Sequence, residues 1–241
     1  AMSLYSHAFS GNPLRSGPHK TPESVTPESA FLKLKTLFSA DRHESHIPNF
    51  KVLPFRKGKP LAGAVSGPRW RLGWLNFHEF LGHFGNPPRS VPSEDDFVYL
   101  GFNHEDDAVY WAVDTSEEGG GLSDELGAKQ LCFVELRTLM VATDWTEAKS
   151  MAELAVAGHA KSLLEWHNTA RFCGHCGSAT VPVEAGKKKR CSNESCKKSI
   201  YPRLDPVVIM LVIDRENDCA LLSKQSRFVP RMWSCLAGFI E

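Results

Sequence analysis

The stretch FCGHCGSATVPVEAGKKKRCSNESCKKSIY, Phe172 to Tyr201, decides how the chain is organised. It holds four of the seven cysteines as Cys173-x2-Cys176, fourteen residues, then Cys191-x4-Cys196. Two close thiol pairs joined by a short turn-rich segment suit a tetrahedral Zn²⁺, each tight knuckle supplying two sulfurs. Gly174 and Gly177 stand in and just after the first pair, where a knuckle bends sharply. The x4 spacing of the second pair is wider than the commoner x2 and still within known ligand spacings. The alternative is two disulfides or four unrelated buried thiols. With four sulfurs on one ion no position remains for water, so such a zinc is structural. Its binding energy is then largely folding energy, about 10–16 kcal/mol in small zinc modules.

Working outward, the segment between the pairs is basic. Lys187-Lys188-Lys189-Arg190 is followed by Lys197 and Lys198, and Arg171–Arg203 holds eight basic residues against two acidic ones, Glu184 and Glu194. Such a ribbon is either an RNA-binding or polyanion-binding surface or a solvated hairpin tip, and the solvated tip is the simpler expectation. The whole chain is neutral, with 28 basic and 28 acidic residues, and 42% apolar. Nothing in that balance points to nucleic acid or membrane, and no apolar run approaches the ~18–20 residues of a transmembrane helix. At 241 residues the chain can bury two or three units. Cys132, Cys219 and Cys235 have no pairing pattern, which fits an intracellular, reducing compartment.

Upstream of the ribbon the chain reads as a mixed domain. Residues 1–30, rich in Ser, Pro and Gly, are expected to be a flexible N-terminus, with Phe9 and Leu14 as anchors. Thr26-Pro27-Glu28-Ser29 marks a helix start, followed by Ala30, Phe31, Leu34, Leu37 and Phe38 at helical spacing. From Phe50 to Phe133 the signals are β-like: strands at Lys51–Phe55, Arg69–Trp74 and Leu131–Val134, and a hairpin of Phe97–Phe102 with Ala108–Val113. Glu117–Gly121 is a loop. Asp144-x-x-Glu147 resembles a capping box opening a helix with Met151, Leu154, Ala155, Leu163, Leu164 and His167 on its buried face, weakened at Gly158. That helix is expected to end, at Trp166-His167, packed against the zinc module. Downstream, Pro206–Ile213 (PVVIMLVI) reads as a strand buried on both faces, Asp214–Asp218 turns the chain, and Met232–Phe239 is apolar again. No Ser-His-Asp set, Walker loop or GxGxxG accompanies these elements, and Asp106/Asp107 and Glu117/Glu118 read as solvated turns.

Several pieces, in order, resemble the NADH/NADPH pyrophosphatase (NAD(+) diphosphatase) branch of the Nudix hydrolases, with plant-like character. They are Phe9-x-Gly-Asn-Pro-Leu14, Trp166-His167 ahead of Phe172-Cys-x-x-Cys-Gly177, Tyr201-Pro-Arg203, and Trp233-x-x-Leu-Ala-Gly-Phe-x-Glu241. The resemblance implies an α+β fold: a mixed α/β N-terminal domain over 31–168, a zinc ribbon over 169–202, and the first strands of a Nudix α/β/α sandwich over 203–241. It implies hydrolysis of NADH or NADPH to NMNH and AMP, or 2′-phospho-AMP, by water activated between Mg²⁺ or Mn²⁺ ions on Nudix-helix glutamates. Structural Zn²⁺ on Cys173, Cys176, Cys191 and Cys196, and a homodimer, belong to the same expectation. By motif match Ala237 supplies a backbone carbonyl to the catalytic metal, and Phe239, Tyr201 and Glu184 contact substrate. The sequence reaches only Gly238–Glu241 of the Nudix box and carries no Arg-Glu-x-x-Glu-Glu run, so these 241 residues alone are expected not to hydrolyse dinucleotides. The strands of 203–241 are likewise expected to leave a long apolar edge. Two other readings stand beside this one: a zinc-ribbon binding protein, and an enzyme acting on the NAD cap of RNA. Chloroplast, peroxisome and cytosol are all compatible locations.

Overall fold

The computed structural model describes residues 11–15, 25–38, 49–64, 69–84, 94–116, 124–203, 207–228 and 230–240. Phe9, the Glu117–Gly121 loop, Pro206 and Glu241 lie outside them. The chain divides into two compact units, Ala1–Pro202 and Arg203–Glu241.

The first unit is built on one mixed sheet. Its strands are β1 (Asn49–Arg56), β2 (Lys59–Ala64), β3 (Trp70–Leu72), β4 (Leu75–Asn76), β5 (Phe97–Asn103), β6 (Ala108–Asp114) and β7 (Leu131–Phe133). The order is β3-β2-β1-β6-β5, with β4 also on β1 and β7 on β2. β1 and β6 run parallel over seven residue pairs, from Asn49 opposite Ala108 to Phe55 opposite Asp114. The other pairings are antiparallel. Alternation along each strand sends side chains to two cores. Phe50, Val52, Val109, Trp111 and Val113 meet α1 (Pro27–Phe38), α2 (Phe77–Phe84) and α3 (Asp124–Ala128) through Leu34, Phe80, Phe84 and Leu126. Leu53, Phe55, Ala62 and Ala112 meet α4 (Leu136–Val141) and α5 (Ala148–Thr169) through Leu139, Leu154, Ala160 and Leu164. The sheet is therefore covered on both faces, and its central strands are apolar on both sides, as parallel pairing requires.

One position shows how backbone and packing specify each other. The β5–β6 register shifts between Tyr99 and Gly101, leaving Leu100 as the extra residue of a bulge. Gly101 has φ +148°, and a Cβ there would lie 2.5 Å from the Leu14 carbonyl oxygen. Only glycine lets the Gly11–Arg15 segment cross so closely. Asn12 then fastens that segment by donating from Nδ2 to the Leu100 carbonyl at 2.8 Å.

Three expectations are corrected. The β-like reading of Phe50–Phe133 missed α2, where FHEFLGHF buries Phe77, Phe80 and Phe84 at helical spacing. Its start carries the reciprocal capping box: Asn76 Oδ1 accepts from the Glu79 amide at 2.8 Å, and Glu79 Oε2 from the Asn76 amide at 3.0 Å. The expected box at Asp144-x-x-Glu147 is absent; Asp144 closes its own turn onto Thr146, and Glu147 caps α5 without a side-chain bond. α5 also runs unbroken through Gly158. The helix start at Thr26 is found as expected, with its hydroxyl accepting from the Ser29 amide and Pro27 in the first turn.

The second unit consists of two two-stranded pieces. β11 (Val207–Met210) pairs antiparallel with β14 (Leu236–Phe239), and β12 (Val212–Asp214) with β13 (Cys219–Leu221). The expectation of a strand buried on both faces over Pro206–Ile213 fails here. Val207, Ile209, Leu211, Val212 and Ile213 are each about half exposed or more. Each strand also has a single ladder partner among the described residues, so each keeps an unpaired edge.

Candidate metal centre and ribbon surface

The ribbon is a three-stranded antiparallel sheet, β10 (Ser199–Ile200), β9 (Lys188–Cys191), β8 (Thr180–Val183), entered directly from α5. Its first knuckle closes when the Gly177 amide donates to the Cys173 carbonyl and the Cys173 amide to the Ser178 carbonyl, both at 2.8 Å. Gly177 takes φ +74°, which its lack of a Cβ permits. The second knuckle uses its two extra residues as a turn headed by Asn193. The Asn193 carbonyl accepts from the amides of Cys196 and Lys197, and its amide lies 3.4 Å from Cys191 Sγ. The x4 spacing is thus a longer turn delivering its sulfur to the same place.

The four sulfurs converge. Cys173, Cys176, Cys191 and Cys196 place their Sγ atoms within 4.8 Å of one another, with Cys173–Cys196 at 3.9 Å and Cys176–Cys191 at 3.4 Å. A tetrahedron with Zn–S of about 2.3 Å has edges of about 3.8 Å, so the set fits one zinc. None of the seven cysteines is in a disulfide, which removes that alternative. The thiols differ before metal enters. The Ser178 hydroxyl and amide hold Cys176 down to about 6, while burial pushes Cys191 up to about 12. Amides of His175 and Cys176 lower Cys173. Four thiolates leave no open position, so the metal holds the fold.

The basic run is not the solvated tip that was expected. Strand alternation sends Lys189 inward with Cys191 and leaves Arg190 exposed. Lys189 is buried, and its Nζ donates to the carbonyls of His167 at 2.8 Å and Ala170 at 3.0 Å. It therefore caps the C-terminal end of α5, where a cation is favoured. Burial holds its ammonium below the ordinary lysine range. Lys188 pairs with Glu184 and lies 5.9 Å over the ring of Tyr201. The turn between β8 and β9 is docked as well. Ala185 is 1% exposed within the aromatic core of the sheet, and its carbonyl accepts from the Tyr99 amide at 2.9 Å. His167 donates from Nε2 to the Gly186 carbonyl at 2.6 Å; burial lowers its pKa, so this is the neutral tautomer carrying Nε2–H. Trp166 and His167 are thus a packed helix end against the ribbon.

The sequence-derived site residues fall into two groups. The cysteines are brought together, and Glu184, Lys188 and Tyr201 adjoin on the ribbon, with Tyr201 65% exposed. Ala237 and Phe239 belong to the second unit, on β14 opposite Ile209 and Val207, with Phe239 70% exposed. Lys189 and Gly186 were missed as structural residues. The signal for Lys189 was present: it stands two residues before a metal-ligating cysteine on a strand, so it shares that cysteine's face.

Known families account for most of the chain. Residues 29–166 match the NADH pyrophosphatase-like rudimentary NUDIX domain, and 168–201 the NADH pyrophosphatase zinc ribbon domain. Nudix hydrolase 19, chloroplastic, of Arabidopsis thaliana is 56% identical over all of this chain, which covers 56% of that protein. NAD-capped RNA hydrolase NUDT12 of Homo sapiens is 46% identical over 37% of this chain and 21% of its own length. The mitochondrial NAD(P)H pyrophosphatase NUDT13 of Homo sapiens is 29% identical over 72% of this chain and 47% of its own. The chain thus spans between about a fifth and just over half of the length of these relatives. No helix among the described residues is long and apolar enough to cross a membrane. With a rudimentary Nudix sheet matched over more than half its length and a tetrathiolate ribbon directly after it, the chain belongs to the NADH pyrophosphatase-like family of Nudix proteins.

Proposed function

We propose that this chain serves an NAD(P)H diphosphatase, which hydrolyses the dinucleotide pyrophosphate to NMNH and AMP or 2′-phospho-AMP. The observation that carries the reading is the zinc ribbon held on a rudimentary Nudix sheet, in a chain 56% identical throughout to a Nudix hydrolase. Pyrophosphate is multiply negative, so its hydrolysis calls for Mg²⁺ or Mn²⁺ to neutralise charge and activate water. In this reading the Ala237 carbonyl is one ligand of that metal. Tyr201 in the first unit and Phe239 in the second each carry an open ring, a flat face of the kind on which a base can stack, and within the first unit Glu184 stands beside Tyr201 through Lys188. The enzyme is a homodimer in this reading, and the name of its Arabidopsis relative favours the chloroplast over peroxisome or cytosol.

A second reading, the NAD cap of RNA as substrate, is supported by relatives named NAD-capped RNA hydrolase in Homo sapiens and Pseudomonas syringae. Against a broad phosphate-binding ribbon stands the engagement of Lys189 and Lys188 within the fold. A binding role without hydrolysis is the third.

The test has two arms. Residues 1–241 alone, incubated with NADH, NADPH and Mn²⁺, are expected to release no NMNH, since no Arg-Glu-x-x-Glu-Glu run occurs in them. The same residues joined to the C-terminal part of the Arabidopsis relative are expected to hydrolyse both dinucleotides. A folded, zinc-loaded chimera active only on NAD-capped RNA supports the second reading, and one inactive on every substrate leaves the binding role.

A further inference from the structure

The ribbon touches the rest of its unit at a place remote from the sulfurs. β5 is the last strand of the sheet order, so one row of its amides points away from β6. One of these, Tyr99 N–H, donates to the Ala185 carbonyl in the turn of the ribbon hairpin. The next turn residue, Gly186, has φ +77°, and a Cβ on it would lie 3.0 Å from the Phe97 carbonyl oxygen and 3.2 Å from Val98 Cα. Its own carbonyl accepts from His167 at the end of α5. Two carbonyls in succession are thus satisfied by two different elements of the N-terminal domain, while Ala185 fills part of its core. At the other end of the same hairpin, β9 delivers Cys191 to the metal centre and β8 leads back to the first knuckle.

We infer that the Glu184–Lys187 turn is a clamp that couples zinc occupancy to the N-terminal sheet. Without the metal the two knuckles lose their common centre, the β8–β9 ladder loosens, and the turn no longer holds Ala185 in the core. Coupling of this kind is reciprocal. If zinc tightens the clamp, the clamp also raises the affinity for zinc. The coupling runs through a rigid two-stranded hairpin and requires no contact between Tyr99 and any cysteine.

Tyr99 N–H is a single-atom reporter of the clamp. In the 241-residue protein, amide exchange is compared with zinc bound and after removal by a chelator. Tyr99 is expected to lose protection at least about tenfold, in the usual range of coupling between sites. Loss across the whole sheet is the same coupling at its limit. Unchanged protection at Tyr99 after complete zinc removal overturns the inference. Gly186→Val tests the reverse direction without touching a sulfur, because its side chain meets the backbone of Phe97 and Val98. Zinc affinity, read by equilibrium competition with a chelator, is expected to fall roughly 5- to 100-fold. A variant whose Tyr99 amide is exposed but whose zinc affinity is unchanged also overturns it.

Discussion

Strand β6 reads AVYWAVD, and residues 207–213 read VVIMLVI. By composition the second is the more apolar, yet the structure treats them oppositely. Val109, Trp111 and Val113 are 1%, 0% and 0% exposed, whereas Val207, Ile209 and Ile213 are 54%, 69% and 51% exposed. The difference lies in what surrounds each strand. β6 has β1 on one side and β5 on the other, with helices over both faces. β11 and β12 have one partner each among the described residues. A run of β-branched residues records that a strand needs cover; whether it has cover depends on other elements. A two-stranded ribbon is marginally stable in water, so the two units should differ in how tightly they hold their hydrogen bonds.

Matched truncations break or sharpen that comparison most forcefully. Leu53 is fully buried in the first unit and Leu221 is half exposed in the second. Leu53→Ala is expected to cost about 2–5 kcal/mol in chemical denaturation, the usual price of a core cavity, while Leu221→Ala stays within about 0.5 kcal/mol. In amide exchange, the β11–β14 ladder should exchange about a hundredfold faster than the β1–β6 ladder. Equal effects of the two substitutions would mean that Leu221 is covered in solution by something the chain finds there.

Much of the fold was legible because local chemistry and tertiary role agree. Thr26-Pro27-Glu28 opens a helix by capping, and the polar turn Asn103–Asp107 joins β5 to β6. The cysteine spacing announced the metal centre because a tetrahedral ion imposes geometry that sequence must serve. The parts that were not legible depend on partners distant in sequence. α2 is the exception: Phe77, Phe80, Leu81 and Phe84 stand at the i, i+3, i+4, i+7 spacing of a helix, and that local signal was passed over because the eight residues sit among strands. The basic run read as one charged patch because its charge was counted before its alternation. Gly101 gave no sign of its constraint, since the obstructing atom belongs to Leu14, 87 residues earlier in the chain.

The metal centre gives the two units a second contrast, in pH. Zinc binds thiolates, so metal entry releases the protons the thiols still hold. At pH 7 Cys176, held near 6, is already mostly ionised, while Cys191, near 12, is not. Apparent zinc affinity should therefore rise with pH between 6 and 8, by about tenfold per pH unit for each proton released. Below pH 6 Cys176 also takes up a proton, and the dependence steepens. Competition titrations with a chromophoric chelator at several pH values measure this slope. The ribbon amides of Cys173 and Cys191 should lose protection as acid expels the metal. Those of β11 and β14, which hold no member of the cysteine cluster, should not follow the same curve. A pH-independent affinity over 6 to 8 would require all four thiols to be ionised in the metal-free chain.

The finest version of the contrast is contained in two adjacent residues. Lys188 and Lys189 have the same side chain and different partners, a carboxylate for the first and two backbone carbonyls for the second. Lys189→Met keeps the apolar stem and removes the donor shared by the His167 and Ala170 carbonyls. Loss of partners for such partly buried groups costs about 1–3 kcal/mol. Lys188→Met removes an ion pair with Glu184 at the edge of solvent, of a kind that contributes little. Thermal denaturation of the two zinc-loaded variants should show a clear fall in Tm for Lys189→Met and none outside error for Lys188→Met. Lys189→Arg discriminates further. If the position needs only a positive charge near a helix end, arginine restores Tm. If it needs a compact ammonium placed between two carbonyls, the broader guanidinium does not fit the buried site and Tm stays low. Because Lys189 lies 2.8–3.0 Å from both carbonyls in a buried position, the second outcome is the expected one.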